Sequence, residues 1–70
     1  MKLAKFYLNG EEQPYIQQTV HELLQTRGID PERHGVAVAV NGEVVHRKAW
    51  KTHVIKPEDR VEIVTAVAGG

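Results

Sequence analysis

The residues best suited to chemistry are the last three, Ala68-Gly69-Gly70, and the group they present is a carboxylate. They follow Val61–Val67, a run that reads as a β-strand. Two glycines bury no side chain and are costly in conformational entropy to hold in place. A terminal carboxylate has a pKa of about 3.3–3.7, so at neutral pH it is an anion and a poor acyl donor until it is activated. Taken alone, a Gly-Gly end is a weak signal.

Other chemistries are set aside residue by residue. No cysteine occurs in the 70 residues, which excludes disulfides, thiolate metal sites, a cysteine nucleophile and persulfide chemistry on this chain. His21-Glu22 matches the start of the zinc-protease helix motif, but position 25 is Gln and the second ligand is missing. His21, His34, His46 and His53 have no ligand-like spacing and read as exposed polar residues. No Gly-rich phosphate loop is present, and no His/Asp set surrounds a threonine. The chain reads as a non-enzyme that binds neither cofactor nor metal.

Charge points the same way. Nine basic residues balance nine acidic ones, whereas nucleic-acid binding calls for a basic surplus. Arg47, Lys48, Lys51 and Lys56 form a local basic cluster that reads as a solvated edge and loop. The longest apolar run, "VAVAV", falls far short of the roughly 20 residues that span a bilayer. "MKLAKFYL" lacks the apolar stretch of a signal peptide. A soluble, cytoplasmic protein without membrane or nucleic-acid partners is expected.

Seventy residues with 41% apolar content support one domain around one modest core. Asn9-Gly10 and Asn41-Gly42 mark two-residue hairpins, since both central positions take positive φ readily. They predict strands over Lys2–Leu8 and Glu11–Ile16, then over Val36–Val40 and Glu43–His46. Pro14 lacks a donor and puts the second strand at an edge. Between the hairpins, Thr19 and Glu22 form a capping box for a helix over Val20–Arg27, and Gly28 suits its left-handed end with Ile29 packing beyond. Asp30–Arg33 and Lys56–Asp59 read as turns, Val54-Ile55 as a minor strand, and Trp50 as a core or edge plug.

A helix between two hairpins must cover one face of their common sheet. With the last strand parallel to the first at the centre, the result is an α+β β-grasp, or ubiquitin-like, roll. Alternation then places Val36, Val38, Val40, Val61, Ile63 and Val67 under the helix, against Val20, Leu23 and Leu24. It turns Ala37, Ala39, Val64 and Ala66 outward, where a solvated sheet face normally carries charge. Such a face is either a partner's docking surface or is covered by a loop or edge.

"TVHELL", "VAVAVNGEVVHRKAW", "KPEDRVEIV" and "AVAGG" together resemble the ThiS family, the sulfur carriers of thiamine thiazole synthesis. The resemblance spans residues 19–70, and the Gly-Gly end is shared with all ubiquitin-like carriers. His46 departs from it, standing where the family usually has proline, and the first strand begins slightly early.

The resemblance implies that a ubiquitin-activating-type enzyme uses ATP and metal to adenylate the Gly70 carboxylate. A sulfur donor, a cysteine desulfurase or equivalent, then yields a thiocarboxylate that thiazole synthase consumes. Ala68 and Gly69 would thread the partner's channel, and the Ala68–Gly70 tail is expected to be mobile when free. Two related roles share the tail chemistry: the small subunit of molybdopterin synthase, and a ubiquitin-like modifier conjugated through Gly70. A plain β-grasp interaction module is the remaining alternative.

Overall fold

The computed structural model describes residues 3–66. Its elements are β1 (Lys5–Leu8), β2 (Glu11–Pro14), β3 (Gln18–Thr19), α1 (Val20–Thr26), β4 (Val36–Val40), β5 (Glu43–Val45), a 3₁₀ turn (Arg47–Ala49), β6 (Val54–Ile55) and β7 (Arg60–Thr65). The main sheet runs β2-β1-β7-β4-β5, and β3 pairs with β6 in a separate two-stranded ladder. β1 and β7 are parallel at the centre, as the β-grasp reading requires. β2, which holds Pro14, is an edge.

Each turn of the chain has a local cause. Asn9 and Asn41 both adopt positive φ and close the two hairpins. At the start of α1 the Glu22 amide donates to Thr19 Oγ1 and the Thr19 amide donates to Glu22 Oε1, completing the capping box. Two further first-turn amides, those of Val20 and His21, donate to the carbonyls of His53 and Trp50, so tertiary structure satisfies groups the helix cannot. At the other end Gly28 is left-handed. Its amide donates to the Gln25 carbonyl and that of Ile29 to Leu24, the paired bonds of a Schellman motif. Ile29 packs against the core.

Under the helix, Val20, Leu23 and Leu24 meet Phe6, Leu8, Val38, Val40, Val45, Trp50, Ile55 and Val61, all buried. Val36 and Ile63 are only partly buried: Val36 opens β4, and Ile63 lies beyond Val61, where the β1 ladder stops. Val67, expected beside them, lies outside the described residues. Trp50 is a core residue whose Nε1 donates to the Val45 carbonyl at 2.8 Å.

Some boundaries differ from expectation. β1 begins at Lys5 and β2 ends at Pro14; one more bond in the same register joins the Tyr15 amide to the Ala4 carbonyl, and Ile16 beyond it stands exposed. β5 ends at Val45, and His46 opens the 3₁₀ turn with φ −67°. Arg47 is drawn out of the basic cluster. Its guanidinium lies 4.6 Å over the Trp50 ring and donates to the carbonyls of Pro31 and Arg33, so it is a clasp on the 30–33 loop. His21 and His53 are half-buried rather than exposed. Among the described residues no helix is long and apolar enough to cross a membrane.

Candidate functional site

The strand that leads toward the Gly-Gly end is β7, and both hairpin asparagines hold it. Asn41 Oδ1 accepts from the Arg60 amide at 2.9 Å, and its Nδ2 donates to Asp59. That pins the start of the strand. On the other side the β1 ladder stops at the pair Leu8 and Val61. There Asn9 takes over, accepting from the Ile63 amide at 2.8 Å and donating to the Ile63 carbonyl. A side chain thus stands in for one more strand residue, and Ile63 keeps its backbone partners.

On the open face the four expected residues come together. Ala37 and Val64 are direct partners across β4 and β7, and Ala39 pairs with Glu62. Ala37 and Ala66 are exposed, Ala39 is half-buried, and Val64 is 63% exposed. Two further residues belong to this face. Val44 pairs with Ala39 from β5 and is 67% exposed, and Glu62 is exposed between the valine and the rest of β7. Ala37, Ala39, Val44, Glu62 and Val64 line one shallow depression. Val44 was detectable: a two-residue Asn41-Gly42 loop forces position 44 opposite position 39, on the same face.

The remainder of the open face is polar. Lys5 and Glu12 form an ion pair at 3.3 Å, and Lys5 and Arg60 approach the Tyr7 ring at 5.8 and 6.0 Å. The interaction of Lys5 with Glu12, and to a lesser extent with Tyr7, raises the Lys5 pKa above its usual value. Ala68, Gly69 and Gly70 lie outside the described residues. Among those described, no group of His, Asp or Glu is arranged to hold a metal ion.

Comparison with known proteins bears on this arrangement. The ThiS family profile matches residues 6–70. The sulfur carrier protein ThiS of Escherichia coli strain K12 is 38% identical over 53 residues, covering 76% of this chain and 77% of that one. The crystal structure of the thiamine biosynthesis protein ThiS from Geobacter metallireducens superposes with a TM-score of 0.77 at 29% identity, covering 94% of this chain and 99% of that one. The solution structure of the thiamine biosynthesis protein from the same organism gives 0.75, also at 29% identity, with 94% and 87% covered. With 65 of its 70 residues matched, the chain belongs to the ThiS family, whose curated relative is a sulfur carrier protein.

Proposed function

We propose that the chain carries sulfur as a thiocarboxylate on Gly70 and delivers it to thiazole synthase in thiamine biosynthesis. The observation that carries this reading is the apolar strip along β7. Val64 and Ala66 lie on the open face, and only three residues separate Ala66 from Gly70. A partner docked on Ala37, Ala39, Val44, Val64 and Ala66 therefore has the chain end within reach, and the family match runs through residue 70.

The chemistry follows from the carboxylate. A Gly70 oxygen attacks the α-phosphorus of ATP held by a ubiquitin-activating-type enzyme, pyrophosphate leaves, and an acyl-adenylate forms. The partner supplies ATP and metal; this chain supplies the nucleophile and its approach. The persulfide of a cysteine desulfurase or equivalent donor then attacks the activated carbonyl and expels AMP. A thiol reductant cleaves the S–S bond of the resulting acyl disulfide, leaving the thiocarboxylate on Gly70. Because the chain has no cysteine, sulfur can ride only on the terminus. Ala68 and Gly69 present at most a methyl group to the channel, so the segment threads where larger side chains would stop.

The relatives' names, a sulfur carrier protein and a thiamine biosynthesis protein, favour the thiazole pathway over molybdopterin synthesis or protein conjugation. The test is the intact mass of the protein isolated from cells making thiamine. A species shifted by one oxygen replaced with sulfur, assigned to Gly70 by fragmentation, is expected. Gly70 found only as an isopeptide on other proteins would replace this reading with that of a modifier.

A further inference from the structure

We propose that Gly35 is a positioning residue for sulfur transfer. It fixes Ala66, the last described residue of the β7 edge held to β4, and with it the origin from which the Gly70 carboxylate is delivered. The inference rests on the carrier reading above.

Gly35 precedes β4 with φ +81°. Its carbonyl accepts from the Ala66 amide at 2.7 Å. A Cβ built on Gly35 would lie 2.9 Å from the Ala66 Cβ and 3.6 Å from its amide nitrogen, closer to the methyl than two carbons can pack. Glycine is thus required twice, by the left-handed backbone and by the close approach of Ala66. The other described glycines are different: a Cβ on Gly10, Gly28 or Gly42 would meet nothing within 4 Å.

The rung matters because of what lies across the strand. β7 loses β1 after Val61, and Asn9 serves only Ile63. Beyond that point β7 is held from the β4 side, by the Val36–Thr65 pair and then by Gly35 with Ala66. The residues after Ala66 span at most about 14 Å when extended. A partner seated on the open face meets Ala66 as part of that face, so the rung sets the distance from docking surface to carboxylate. Opening it frees Ala66 from β4, so that residue must be ordered anew in each productive complex, at a cost in entropy, and the carboxylate starts from a displaced origin.

Ala37, Ala39, Val44 and Val64, four of the five docking residues, are untouched by a substitution at Gly35, so the effect should fall on kcat far more than on KM. Angstrom-scale misplacement of a reacting group costs up to about a hundredfold. The experiment is steady-state ATP–pyrophosphate exchange by the cognate adenylating enzyme, with the full carrier as varied substrate, well below the melting temperature of every variant. Hydrogen exchange at the residue-66 amide is followed in parallel.

Gly35→Ala should lower kcat at least about tenfold with KM within about twofold of wild type, and speed exchange at residue 66. Gly35→Asn, which tolerates a left-handed backbone but keeps the Cβ, should do the same if Gly35→Ala folds poorly. Gly28→Ala carries the same kind of backbone strain at φ +75° without a contact, and should leave kcat unchanged. The proposal is overturned if Gly35→Ala and Gly35→Asn keep wild-type kcat, or if Gly28→Ala loses as much. A wild-type protein that supports no exchange at all would instead overturn the carrier reading, and this inference with it.

Discussion

The two faces of β7 are built on opposite terms. Inward, Val61 is 1% exposed and Ile63 is half-buried, part of the packing against Leu23 and Leu24. Outward stand Arg60, Glu62, Val64 and Ala66. The outward side divides again. Toward β1 and β2 it carries an ion pair and cations over Tyr7, as a solvated face should. Toward β4 and β5 it offers mainly methyl and isopropyl groups, with Val44 and Val64 each more than half exposed. One strand thus serves a buried core and a bare apolar surface, which the proposed function assigns to a partner.

The largest effect expected from breaking this contrast lies under the helix. Leu23 is 1% exposed, and Leu23→Ala should cost about 2–5 kcal/mol of stability. At roughly 4–8 °C per kcal/mol for so small a domain, thermal melting reads this easily. Sulfur loading per folded molecule should be unchanged; loss of loading without loss of fold would make the helix a docking element.

Val64→Asp tests the opposite side of the same strand. An exposed substitution should alter stability by no more than about 0.5 kcal/mol, yet a carboxylate buried against an apolar partner should weaken binding to the adenylating enzyme and the synthase by tenfold or more. Calorimetric titration measures it. Binding equal to wild type would show that the bare half-face is not used.

Smaller effects sharpen the boundary between the two regions. Thr19→Ala removes the cap of α1 and should cost about 1 kcal/mol in denaturant unfolding, with adenylation per folded molecule untouched. His46→Pro should stabilise by about 0.4–1 kcal/mol. His46 already has φ −67° and extended ψ, strand alternation turns its amide to the outer edge of β5, and Val45 before it is in a strand, as proline prefers. A drop in melting temperature for His46→Pro would mean that this amide has a partner.

The sequence revealed most of what local chemistry determines. The hairpins at Asn9 and Asn41, the Thr19–Glu22 box, the Gly28 stop and the outward set Ala37, Ala39, Val64 and Ala66 all follow from turn chemistry and alternation over a few residues. What it concealed depends on contacts distant along the chain. Gln18-Thr19 is a strand only because Val54-Ile55 lies beside it, and no two-residue polar segment announces that. Arg47 looked like one charge in a solvated cluster, since its acceptors are backbone carbonyls of Pro31 and Arg33 with no side-chain signature. Asn9 reads as a turn residue, and its grip on Ile63 spans nearly the whole chain. Gly35 gave no signal because the methyl it accommodates belongs to Ala66.

The central claim is that the fold exists to present the carboxylate of Gly70, and one measurement reaches it most directly. ATP–pyrophosphate exchange by the adenylating partner is recorded with the wild-type carrier and with Gly70 deleted, each melted in parallel. Deletion shortens the reach by up to about 3.5 Å and should abolish exchange while leaving the melting curve unchanged. Exchange that persists at the wild-type rate without Gly70 would contradict the account.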